Sequence, residues 1–268
     1  MTAADALPVF GFVSVHDAPL ADGMAREDEW LHAVASRGRP AAHLWQGVTG
    51  FVAPRSYARL PRWSEACAAS SARGWPVQVR ASGGGLVPQA PGVLNLTLAW
   101  PAASATPHGS DAIYRALTDA LAAAFARLGV SCTAQAVEGS FCDGRFNLAH
   151  GGRKLVGTAQ AWRRIDGRPV VLAHAVIVAT ADPRALTEAA NRFEELLGSG
   201  RRYRADSLTS LADAWREAHP GRSEPPDLDG RIVQVVAERF ARVVPPHVRD
   251  PENLDGPDGV RDGPGGAG

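Results

Sequence analysis

A chain of 268 residues can bury a sizeable core in one large domain or two small ones, and its 45% hydrophobic and 21% charged composition is that of a globular protein. Its 28 basic residues balance its 28 acidic ones, which argues against a general nucleic-acid or membrane-surface binder, since both need a basic excess. No run is long and apolar enough to span a bilayer, no signal-peptide pattern opens the chain, and Cys67, Cys132 and Cys142 lack metal-like spacing; a cytoplasmic protein with reduced thiols and no metal is expected.

Met24 to Ser36 reads as a helix, stopped near Gly38 and Pro40. Short strands are expected at His43 to Gln46 and Gly50 to Val52, around a turn at Gly47. Pro61 to Arg73 looks helical, with proline near its first turn and Gly74 beyond its end. Pro76 to Arg80 is a strand candidate running into Ser82-Gly83-Gly84-Gly85, and Val93 to Trp100 is another. Ser110 to Leu128 is the clearest helix, because Ile113, Leu117, Leu121, Phe125 and Leu128 form one apolar stripe before Gly129.

Arg145 to Arg164 reads as a hairpin. Gly151-Gly152 suits a two-residue primed turn, in which both positions have positive φ. That register pairs His150 with Arg153 and Ala149 with Lys154, and regular alternation puts Lys154 on the face of Val156 and Thr158. Pro169 to Thr180 is β-prone, Asp182 caps a helix to Leu197, and helices follow near Ser207 to Ala218 and Leu228 to Val243. From Asp250 onward nine of nineteen residues are glycine or proline, so residues 250–268 are expected to be a disordered tail on a single domain of residues 1–249. Strands and helices alternate irregularly, with hairpins, which points to an α+β fold rather than a parallel doubly wound sheet.

One residue stands apart. Lys154 is the only lysine; the other basic residues are all arginine, including its neighbour Arg153. An ammonium is a compact donor on a slim stem with a tunable pKa, and guanidinium is a planar fork that stays charged. A polar atom at the end of a narrow pocket suits the ammonium. Three consecutive glycines after a strand let backbone approach a ligand closely. They make neither a Walker loop nor a dinucleotide fingerprint. A basic stretch of Arg145, Arg153, Lys154, Arg163, Arg164 and Arg168 fits a solvated sheet edge as well as an acidic partner. His150 and His174 have the residue type for proton transfer, but His174 lies on an apolar strand and reads as a hydrogen-bonded core histidine.

Three segments together, Arg80-Ala81-Ser82-Gly83-Gly84-Gly85, Gly139-Ser140-Phe141-Cys142-Asp143-Gly144 and Gly152-Arg153-Lys154-Leu155-Val156-Gly157-Thr158-Ala159-Gln160, resemble the lipoate and biotin protein ligase and transferase family. The resemblance covers roughly residues 20 to 200. It implies an α+β catalytic domain, a mixed β-sheet flanked by helices, that hands an octanoyl or lipoyl group to a lysine of a lipoyl domain. Lys154 matches the lysine beside the acyl carbonyl. Arg80, Ser82, Gly83, Gly84, Gly85, Asn95, Gly157, Thr158 and Ala159 match substrate-binding positions.

Phe141-Cys142-x-Gly144 and Gly92-Val93-Leu94-Asn95 look like the amidotransferase branch, which moves octanoyl from the glycine-cleavage H protein to other lipoyl domains. Cys142 then matches the nucleophile. Thiolates attack acyl groups and leave again readily, and a nearby ammonium favours the thiolate. The resemblance implies no cofactor and, as partners, lipoyl-domain proteins: the glycine-cleavage H protein and the E2 subunits of 2-oxoacid dehydrogenases. Two alternatives stay open. An ATP-dependent lipoate-protein ligase would use ATP and magnesium, although the His-Asp pair usual after the glycine loop is missing from Pro88-Gln89-Ala90-Pro91. A non-catalytic module would keep the pocket and bind an acylated carrier.

Overall fold

The structure, a computed structural model, describes residues 7–81, 83–103 and 110–241. Ser82, the expected boundary at 249 and the expected tail lie outside them. Among the described residues ten strands form two sheets: β1 (Ser14–Val15), β2 (Ala41–Gln46), β3 (Gly50–Pro54), β4 (Val77–Arg80), β5 (Val87–Gln89), β6 (Val93–Pro101), β7 (Thr133–Gln135), β8 (Asn147–His150), β9 (Arg153–Ile165) and β10 (Arg168–Val178). The larger sheet runs β1-β2-β6-β10-β9-β8-β7, with β1 parallel to β2 and the other pairs antiparallel; the smaller runs β4-β3-β5. Six α-helices of the described residues flank them: α1 (Gly23–Arg37), α2 (Trp63–Ser71), α3 (Ser110–Ala126), α4 (Pro183–Leu197), α5 (Leu211–Ala218) and α6 (Leu228–Phe240). This is the expected mixed sheet flanked by helices.

Alternation divides the large sheet. Leu94, Leu96 and Leu98 of β6 and Val171, Ala173, Ala175 and Ile177 of β10 point to one side, where α3, α5 and α6 close the main core. Val170 and Leu172 of β10 and Ala99 of β6 point to the other side, under Leu31, Val34 and Ala35 of α1. A separate core joins the small sheet to α2 and α4 through Phe51, Ala53, Ala66, Ala190 and Phe193. The gap between the two sheets, bordered by α1, is where the cleft lies.

Local signals account for the elements. Asp182 accepts from the Arg184 N–H at 2.9 Å and Pro183 takes the first position of α4. Gly151 and Gly152 both have positive φ, 54° and 76°, so the turn is of the expected primed kind and Ala149 faces Lys154. Helix α5 starts at Leu211, later than the expected start near Ser207, and Ser210 caps it, accepting from the Asp213 N–H at 3.0 Å.

The phase of β9 also differs. Ala149 pairs with Lys154 but Leu148 pairs with Val156, so Leu155 is an extra residue, a β-bulge. Leu155 and Val156 are consecutive and both buried in the main core. Lys154 therefore emerges on the opposite side, with Gly157, rather than on the face of Val156 and Thr158.

Candidate active site

A cleft between the sheets is floored by Gly157, Ala159 and Ala161 of β9 and by Leu172, His174, Val176 and Val178 of β10. Val52 and Val87 of the small sheet and Met24 and Glu27 of α1 also line it, and its empty space, open mouth included, is ≈ 830 Å³. A lining that is mostly apolar with a few placed polar groups is the character of a small-molecule site.

The bulge aims Lys154 into one end of this cleft. Its Nζ donates to the carbonyls of Phe141 and Cys142 at 2.7 and 2.8 Å. Among the described residues those are two partners for three donors, which leaves one N–H for a ligand. Lys154 is buried, and burial pulls its pKa down to about 8, opposed by the negative charge available at Cys142 and Asp143. A Cβ at position 157 would lie 3.1 Å from Lys154 Cε, so Gly157 makes room for the stem.

Cys142 sits on the loop between β7 and β8 with φ of 48°, a left-handed conformation uncommon for a residue with a Cβ. Besides Lys154, Asp143 fixes this loop: its Oδ1 accepts from the Val137 N–H at 2.9 Å and from Asn147 Nδ2 at 2.7 Å. The Cys142 Sγ accepts from the Gly85 N–H at 3.2 Å, and Arg80 Nη2 lies 4.0 Å away. Arg80 also donates to the carbonyls of Val52, Gly83 and Gly85, curling the glycine run around its guanidinium. A Cβ on Gly84 would stand 2.8 Å from Sγ, and one on Gly85 would stand 3.2 Å from the Cys142 backbone. Gly84, at φ of 101°, and Gly85 thus pack on Cys142 rather than along the cleft.

At the other end the sequence marks only Asn95 as a binding residue, and the network around it was not foreseen. Glu27 Oε2 takes hydrogen bonds from His174 Nδ1 at 2.7 Å and from the Thr97 hydroxyl at 3.0 Å. Trp45 Nε1 donates to Thr97 at 3.0 Å, and Asn95 and Gln89 exchange amide hydrogen bonds of 2.9 and 3.1 Å. His174 lines the cleft in this network and is not sealed in the core as expected. The parity of β10 could have found it, since His174 falls on the side opposite Val171, Ala173 and Ala175. Thr158 and Ala159 line the cleft as well, Thr158 with its hydroxyl donated to the Phe146 carbonyl at 2.7 Å. Of the basic stretch, Arg145, Arg153 and Arg163 pair with Asp111, Glu217 and Asp28.

Residues 20–219 match the model of the lipoyl protein ligase A/B catalytic domain. The chain belongs to that family. It is a catalytic domain of the lipoyl or octanoyl transferase and ligase kind. An uncharacterized protein of Cupriavidus necator is 41% identical over 238 residues, 84% of this chain and 90% of its own length. The Octanoyl-[GcvH]:protein N-octanoyltransferase of Kyrpidia tusciae is 33% identical over 196 residues, 70% of this chain and 67% of its own. The crystal structure of lipoate-protein ligase A bound with ATP superposes with a TM-score of 0.60 at 14% identity, covering 88% of this chain and 89% of that one, a likeness of fold. Across this lipoyl protein ligase A/B domain, the matched span holds the cleft, the glycine loop, Cys142 and Lys154 together.

Proposed function

We propose that this domain is an acyltransferase that moves an octanoyl or lipoyl group onto the acceptor lysine of a lipoyl domain through a thioester on Cys142. The observation that carries the reading is the meeting of three elements at one end of an apolar cleft: a cysteine, a backbone N–H on its sulfur, and a buried ammonium on its loop. The similarity to an Octanoyl-[GcvH]:protein N-octanoyltransferase favours the same chemistry.

In the first half-reaction the sulfur attacks the acyl carbonyl of the donor's acylated lysine. A C–S bond forms, the donor's C–N bond breaks, and the thiol proton ends on the departing amine. In the second, the acceptor's amine attacks the thioester; a C–N bond forms, the C–S bond breaks, and the amine's proton returns to sulfur. The remaining N–H of Lys154 meets the acyl oxygen and stabilises it as it becomes an oxyanion. Gly157, Ala159 and Ala161, being small, leave space beside it for an alkyl chain.

The donor and acceptor in this reading are lipoyl-domain proteins such as the glycine-cleavage H protein and E2 subunits. We place the reaction in the cytoplasm; the three unpaired cysteines suit a reducing compartment, and among the described residues no helix is long and apolar enough to cross a membrane. The rival is an ATP-dependent ligase, favoured by the shared fold with lipoate-protein ligase A. Intact mass spectrometry after mixing with an octanoylated carrier separates them. The transferase gains one octanoyl group as a hydroxylamine-labile thioester without ATP, whereas a ligase gains none and exchanges ATP with pyrophosphate in the presence of octanoate or lipoate.

A further inference from the structure

We propose that Arg80 is a catalytic residue, the counter-charge that stabilises the negative charge developing on the Cys142 sulfur as it attacks and as it leaves. The inference rests on the thioester reading above and adds a role that Lys154 is badly placed to fill. Lys154 spends its hydrogen bonds on the carbonyl side of the loop, at Phe141 and Cys142. The sulfur points the other way, toward the glycine run, where the Gly85 N–H and Arg80 meet it.

Arg80 is half-buried, and its neutral partners are the carbonyls of Val52, Gly83 and Gly85, with Nη2 also 4.0 Å from the sulfur. Among the described residues no carboxylate is one of its hydrogen-bond partners. A guanidinium drawn out of water is costly unless it meets negative charge; Tyr57 and Glu27 act on it from a distance, and the Cys142 sulfur is the group that its Nη2 approaches. Burial lowers the guanidinium's pKa, and the cysteine is the largest of the groups that oppose this. The planar fork also explains why arginine suits the place. It binds three carbonyls and still turns one edge to the sulfur, which a lysine's compact head does not do. By holding the Gly83 and Gly85 carbonyls, the same fork turns the Gly85 N–H onto the thiol. Guanidinium does not exchange its proton near neutral pH, so its part is electrostatic and the proton transfers written above are unchanged.

The test uses the full chain and two alkylating reagents of like size, anionic iodoacetate and neutral iodoacetamide, with modification of Cys142 followed by peptide mass spectrometry. A positive charge beside the sulfur favours the anion. The iodoacetate-to-iodoacetamide rate ratio at Cys142 should exceed that of N-acetylcysteine amide by about tenfold or more, as expected for a focused local field. Arg80→Gln should return the ratio to that of the free thiol and slow formation of the octanoyl thioester; Arg80→Lys should keep a raised ratio. A wild-type ratio equal to that of the free thiol overturns the proposal, and so does an Arg80→Gln protein that keeps the wild-type ratio. The wild-type measurement stands even if the variants fail to fold. A raised ratio in a protein that never forms a thioester would sink the transferase reading, and with it a catalytic role for Arg80, while leaving the pairing of the two groups intact.

Discussion

At the reactive end of the cleft, Cys142 and the Gly83–Gly85 run sit on loops and are held by backbone: the Gly85 N–H, the carbonyls that accept from Lys154, and those that accept from Arg80. At the other end, Glu27, Asn95 and His174 rise from α1, β6 and β10 and are held by other side chains, Thr97 and Gln89 among them. A Cβ added at Gly84 would crowd the Cys142 sulfur at 2.8 Å and one at Gly85 the Cys142 backbone at 3.2 Å, although one at Gly83 would meet nothing. Side-chain contacts can be exchanged one at a time. The first end should therefore fail sharply when altered, and the second should change what the cleft prefers without stopping chemistry.

Replacing the nucleophile tests the sharper end hardest. Cys142→Ala should reduce transfer by about a thousandfold or more and abolish the acyl adduct, since the covalent route is lost; turnover near wild type with a requirement for ATP would instead establish the ligase. Lys154→Arg should cost about a hundredfold in kcat while the fold survives, because a planar head cannot keep both loop carbonyls and the acyl oxygen. The wild-type rate should also fall as pH rises through about 8, where the buried ammonium loses its proton. That limb should be absent from the thermal stability of the acyl adduct and present in its rate of formation.

Gly84→Ala should slow thioester formation by about tenfold, since φ of 101° and a Cβ 2.8 Å from the sulfur both oppose alanine there. An unchanged rate would mean that the glycine run is only a turn. At the far end, Glu27→Gln and His174→Leu should alter KM for acyl donors by a few fold and leave kcat near wild type, the pattern of uniform binding; a collapse of kcat would bring this network into the chemistry.

The smallest effect concerns stability. Unfolded Lys154 holds its proton up to its ordinary value of 10.5 and the folded one only to about 8. Between these pH values the unfolded state binds more protons, so this residue favours folding increasingly as pH rises through that window. From pH 7 to 10.5 the denaturant midpoint of the wild type should rise relative to that of Lys154→Met, which lacks the titrating group.

The same contrast governs what could be read from the chain. The reactive end was legible because its parts are short runs with strong local signals: Gly151-Gly152 dictates the turn and hence the Ala149–Lys154 pairing, and Asp182 dictates the start of α4. The bulge was not legible, because Leu155 and Val156 are both apolar and nothing marks one of them as extra. Glu27 and His174 escaped for another reason, since 147 positions separate them and neither carries its partner nearby. Pro88 hid β5, an edge strand of the small sheet.

Without its bulge, the hairpin β8–β9 would take a regular register offset by one residue beyond Lys154. In the regular one, Lys154 would carry Val156, Thr158, Gln160 and Trp162 into the cleft, while Gly157, Ala159 and Ala161 turned inward. Backbone pairing alone hardly distinguishes the two. Side-chain volume does: Val156 and Trp162 pack against the main core, which glycine and alanine could not fill. The room left for an acyl chain and the solidity of the core behind it are thus one choice, made once, by where the small residues of β9 fall.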